Sequence, residues 1–252
     1  MGMPYASREV RWFVDHTADD SAILKDWIEK KDPFDKDGHF LKAGIWKGRL
    51  DEKPDVYALV PGADDMGIKW REGELQIKGR RETIGVQSFE GGASGRVEQW
   101  LKWSYNSPDI QAAFLPWFDP DAERGPRIIP VTKTRALRKI HVDGLGKLAE
   151  VSVGAFPDRA VNVELTELKV FDKSYWTIGV EAFPDDSNMA AAFYEVTSQF
   201  LSQLRDVHLD TGNSQSYPVW LSQICAGAVG AHFPGHRERR IRPIVNTESG
   251  AS

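Results

Sequence analysis

The stretch Gly67–Arg80, GIKWREGELQIKGR, places cations at alternate positions of two strand-like runs joined by a turn at Glu72-Gly73-Glu74. Lys69 and Arg71 fall on one face of the first run, opposite Ile68 and Trp70. Gln76, Lys78 and Arg80 fall on one face of the second, opposite Leu75 and Ile77. Such faces suit phosphate or another polyanion: Arg binds it through paired hydrogen bonds and Lys as a point charge. The pattern recurs. SREVRWFV puts Ser7, Glu9 and Arg11 on one face against Val10, Trp12 and Val14, and VTKTR pairs Lys133 with Arg135. NVELTEL sets Glu164 beside Asn162 and Thr166; TIGVEAF sets Glu181 beside Thr177 and Gly179. A few carboxylates among many cations suit a hard divalent cation that bridges phosphate oxygens.

A single strand with one polar face reads as half solvated. The set reads differently, because its polar faces favour long charged side chains in i, i+2 pairs. A closed or nearly closed antiparallel β-barrel, polar and positive inside, with helices packed on its apolar outside, accounts for them. The fold class expected is therefore α+β. Strands are expected from Arg8 to Val14 and in runs such as DVYALV, IIPVTKTRALRKIHV and YWTIGVEAF. RVEQWLKW fits a strand or a helix. Helices are expected over Ser21–Lys30 and over Asn188–Leu204, the latter capped by Asp186 or Ser187, with a shorter one in PVWLSQICAGAV. No composition shift divides residues 1–230, and 231–252 read as a basic, extended tail. KDPFDKDGHF and the Asp119-Pro-Asp121 stretch read as turns.

The ordered strands resemble the CYTH superfamily of triphosphate tunnel metalloenzymes. Its opening Glu-x-Glu-x-Lys is similar to SREVR, with Glu9 and Arg11 in the second and third places. Its later pieces resemble Lys69/Arg71, Lys78, Arg96/Glu98, Lys133/Arg135, Glu164 and, at the closing Glu-x-Glu, Glu181. The resemblance runs from about Ser7 to Leu204 and implies an eight-stranded tunnel. In it Arg11, Lys69, Arg71, Lys78, Arg80, Arg96, Lys133 and Arg135 would grip a triphosphate. Glu9, Glu98, Glu164 and Glu181 would hold Mg²⁺ or Mn²⁺, with Glu9 and Glu181 catalytic. The first Glu of each Glu-x-Glu pair is absent, replaced by Ser7 and Gly179. That substitution lowers the charge available to a metal and keeps the cations.

Two functions follow as expectations: a metal-dependent triphosphatase acting on a phosphorylated small molecule or inorganic polyphosphate, or a non-catalytic binding module on the same barrel. A barrel whose charges only compensate one another is the third reading. The 252-residue chain carries a net charge of -5, which argues against general binding to nucleic acid or an anionic membrane. It has no apolar run long enough for a membrane helix and no signal-peptide pattern at its start, so a cytoplasmic location is expected. Cys225 alone allows no internal disulfide and reads as buried. Trp46, Trp117 and Trp220 are candidates for exposed stacking groups, and the six histidines show no metal-ligand spacing.

Overall fold

The computed structural model describes residues 5–16, 18–29, 54–60, 62–118 and 127–229. The turn expected in residues 31–40, Trp46, Asp119, Asp121, His232, His236 and the 231–252 tail lie outside them. The described residues form nine strands and four α-helices. The strands are β1 (Tyr5–Asp15), β2 (Asp55–Leu59), β3 (Met66–Arg71), β4 (Glu74–Ser88), β5 (Ser94–Tyr105), β6 (Arg127–Val142), β7 (Leu148–Val151), β8 (Ala160–Val170) and β9 (Lys173–Phe183). The helices are α1 (Ala18–Glu29), α2 (Pro108–Phe114), α3 (Ser187–Leu201) and α4 (Tyr217–Val229).

The sheet runs β2-β3-β4-β5-β1-β9-β8-β6-β7, and β2 also pairs with β6. That last pairing, Asp55–Leu59 against Val131–Arg127, closes eight strands into an antiparallel barrel; β7 pairs with the other end of β6. The expected barrel is present. RVEQWLKW lies within β5, flanked by β1 on one side and β4 on the other. The turn into β4 has Glu72 at φ 49 and Gly73 at φ 84. Two consecutive residues of positive φ match the twist of the strands they join.

Strand alternation sorts the side chains between lumen and outer wall. Val10, Trp12 and Val14 point outward and are buried with Phe193, Val196 and Phe200 of α3. Asp186 caps that helix by accepting from the Met189 backbone N–H. Gly95 is required where Trp12 crosses it: a Cβ there would lie 2.5 Å from the indole and 2.7 Å from Val10. Trp12 in turn donates from Nε1 to the Ser94 carbonyl at 2.8 Å. On the opposite wall Ile68, Trp70 and Leu75 pack with Ile110 and Phe114 of α2 and with Phe118, whose ring lies 5.8 Å from Trp70.

One end of the barrel is not open. At that end the inward-facing residues are apolar: Phe13, Ile129, Val131, Leu168 and Val170. Against them sits α4, contributing Trp220, Leu221 and Cys225. Phe13 stacks on Trp220 with ring centroids 4.4 Å apart. Trp220 is 3% exposed, which corrects its reading as a surface stacking group; Cys225 is buried as expected. The tunnel is therefore a cup. Each of these large side chains contributes about 1.5–3 kcal/mol by leaving water.

Candidate functional site

The lumen above this floor is a cavity of about 670 Å³. Nine Lys and Arg side chains line it against four carboxylates. Strand order gives its layering: along β1, Phe13 lies at the floor, Arg11 above it, then Glu9 and Ser7, and Tyr5 contacts Phe183 at the rim.

Behind the lining lies the carboxylate of Asp55, which is 3% exposed. It accepts from both nitrogens of the Arg71 fork and lies 3.3 Å from the Lys69 ammonium and 3.0 Å from that of Lys133. Burial raises its carboxyl pKa, but Lys133, Lys69 and Arg71 together hold it well below the ordinary carboxylate range. Lys133 also donates to the Tyr57 hydroxyl at 2.8 Å and sits 4.1 Å from the centroid of Tyr217. Lys69 fares differently. Burial and the nearby Lys133 charge push its pKa well below the usual lysine value.

Beside this cluster Glu164 takes Arg11 at 3.0 Å and Arg135 at 3.3 Å. Burial raises its carboxyl, and Arg11 and Arg135 more than reverse that, leaving it held well below the ordinary range. Arg11 lies across Gly179: a Cβ at 179 would stand 2.6 Å from its guanidinium. The space that a side chain at position 179 would take is thus filled by an arginine head.

Nearer the rim Glu98, Glu9 and Glu181 face one another across three adjacent strands. Lys78 sits between Glu9 and Glu181, bonding the first closely and the second at 3.0 Å. Ser7 donates to Glu9 at 2.6 Å. Burial, helped by the charge of Glu181, leaves Glu9 raised despite Lys78. Burial also acts on Glu181, but Lys78 and a hydrogen bond from Glu9 lower it to about 2. The two carboxyls titrate as a pair around one ammonium. Glu98 takes Arg80 at 2.9 Å and the Trp100 indole N–H at 3.2 Å.

A divalent metal does not fit this arrangement. Each carboxylate of the row already bonds a cationic side chain. Glu164 stands apart between two arginines. Among the described residues no group of three or more His, Cys, Asp or Glu is arranged to hold a metal ion.

The structure brings together Glu9, Arg11, Lys69, Arg71, Lys78, Arg96, Glu98, Lys133, Arg135, Glu164 and Glu181 around one cavity. Arg80 does not itself line the cavity but bonds Glu98 and lies 5.9 Å from the Trp100 ring, both of which do. Sequence reasoning missed Asp55, Tyr57, Lys102, Lys139 and Tyr217. For the first four a signal existed: Asp55 and Tyr57 alternate within DVYALV, Lys102 extends the alternation of Arg96 and Glu98, and Lys139 that of Lys133 and Arg135. Tyr217 carried none, because its place depends on where α4 docks. The chain matches no protein-family model and has no significant match among curated proteins.

Proposed function

We propose that the cup binds a triphosphate- or polyphosphate-type anion, as part of a phosphorylated small molecule or as the inorganic chain. One observation carries the reading: nine cations line a cavity whose floor is closed, against four carboxylates in the lining and a fifth, Asp55, behind it. Buried charges are ordinarily matched one to one. Here Lys102 reaches the lumen with its pKa lowered by burial and by Lys78, a like-charge strain that an anion would relieve. The ordered motifs that resemble the CYTH superfamily support the same ligand class, and the same reading takes the protein to be cytoplasmic.

The reading is one of binding. Because the carboxylates are held by cations, we derive no hydrolytic step through Mg²⁺ or Mn²⁺. The test is thermal unfolding with tripolyphosphate, pyrophosphate or ATP, each with and without either metal. A ligand specific to the folded state raises the midpoint by mass action. Tripolyphosphate is expected to raise it in the wild type and not in Lys133→Ala. No shift with any of the anions would leave a barrel whose charges serve only one another. Phosphate release that depends on Mg²⁺ or Mn²⁺ would overturn the restriction to binding.

A further inference from the structure

The floor of the cup is more than a plug. Residues Asn213–Ser216 lead into α4 and are stitched to β1 beside Arg11. Phe13 N–H donates to the Asn213 carbonyl at 2.9 Å, Gln215 N–H to the Arg11 carbonyl at 3.0 Å, and Ser214 Oγ to the same carbonyl at 3.1 Å. The 13-residue helix therefore begins inside the lumen, with Ser216, Tyr217 and Pro218 on the cavity wall. The Trp220 N–H donates to the Ser216 carbonyl at 3.0 Å, which makes Ser216 the N-cap.

A serine at that position ordinarily turns its hydroxyl onto the helix's own first N–H groups. This one does not. Ser216 is 9% exposed, and its Oγ has no hydrogen-bond partner among the described residues. Neither has the buried Tyr217 hydroxyl. The Tyr217 ring lies 5.0 Å from the Arg11 guanidinium carbon and 4.1 Å from the Lys133 ammonium. Two spare buried hydroxyls, a helix N-terminus and two cations thus converge at the bottom of the cup. The first turn of a helix leaves N–H groups without intrahelical acceptors and carries partial positive charge, so an anion is favoured there.

We propose that the start of α4 is the seat for the terminal phosphoryl group of the bound anion, with the Ser216 and Tyr217 hydroxyls donating to its oxygens. The proposal rests on the anion-binding reading of the cup. It makes binding end-on: the free end of the chain lies at the floor and the remainder runs past Lys78 toward the rim.

The test compares tripolyphosphate affinity, by titration calorimetry on the full chain, among the wild type, Ser216→Ala, Tyr217→Phe and Lys133→Ala. Each hydroxyl deletion is expected to weaken binding by about ten- to a hundredfold, the scale of one hydrogen bond to a charged group. The unligated midpoint should stay unchanged or rise slightly, because each variant removes a buried polar atom without a partner. Wild-type affinity in both hydroxyl variants, with binding lost in Lys133→Ala, would overturn the seat and leave the anion-binding reading standing. Weaker binding accompanied by a lower unligated midpoint would also overturn it, since the hydroxyls would then be structural. No binding by the wild type would overturn both.

Discussion

Asp55 shows how single residues set the character of the lumen. One buried carboxylate faces Lys69, Arg71 and Lys133. Removing its charge leaves three cations without an opposite partner, so Asp55→Asn should lose about 3 kcal/mol or more in chemical denaturation. Added tripolyphosphate should restore part of that loss, and a deficit under about 1 kcal/mol would mean that water already screens the cluster. The same residue governs behaviour in acid. The folded-state pKa values of Asp55 and Glu164 are depressed, so their stabilisation is complete above the unfolded value of about 4 and is lost as pH falls below it. Midpoints recorded from pH 6 down to pH 2 should fall steeply below about 4, and less steeply in Asp55→Asn. Lys69 carries the opposite linkage toward ligand. Burial and Lys133 depress its pKa, and an anion bound beside it would raise that pKa again, so binding at a pH near it draws a proton onto Lys69. Binding enthalpy should then vary with the ionisation enthalpy of the buffer, and buffer-independent enthalpies would show that Lys69 is already charged.

The elements differ in how they depend on one another. The strands of the barrel were legible because the lumen is polar and the outer wall apolar, which writes a period of two into β1, β3, β4, β6, β8 and β9. RVEQWLKW was not decided locally, since Val97, Trp100 and Leu101 fit a helix as well; hydrogen bonding to β1 and β4 on both sides makes it a strand. Asp55 and Tyr57 alternate within DVYALV, but that run is mostly apolar and the strand that closes the barrel beside it, β6, lies far along the chain. The docking of α4 was not legible at all. A short apolar helix can cover many surfaces, and only the ring of apolar inward residues at one end of the barrel selects this one. Trp220→Ala should therefore cost about 3–5 kcal/mol, because the cavity it leaves is walled by Phe13 and Tyr175 and cannot collapse. A loss near zero would mean that the floor is not part of the folded core.

For the whole molecule, a closed floor separates this barrel from an open tunnel in how it meets a long ligand. A chain can enter but not pass through. Long-chain polyphosphate should accordingly bind at most two protein molecules per chain, one at each end, whatever its length; calorimetric stoichiometry rising in proportion to length would show lateral binding at the surface instead. The position of β1 has a further consequence. It is the first of the described strands, yet it lies between β5 and β9, with Glu9 paired to both Glu98 and Glu181. During synthesis one edge of β1 stays without its partner until Lys173–Phe183 has left the ribosome. Long-range pairing of this kind delays barrel closure to the end of the folding path and makes folding slow. The charged inward face that Glu9 and Arg11 give to β1 disfavours pairing with stray strands during that interval, so the residues that line the finished cup also guard its first strand while the barrel is incomplete.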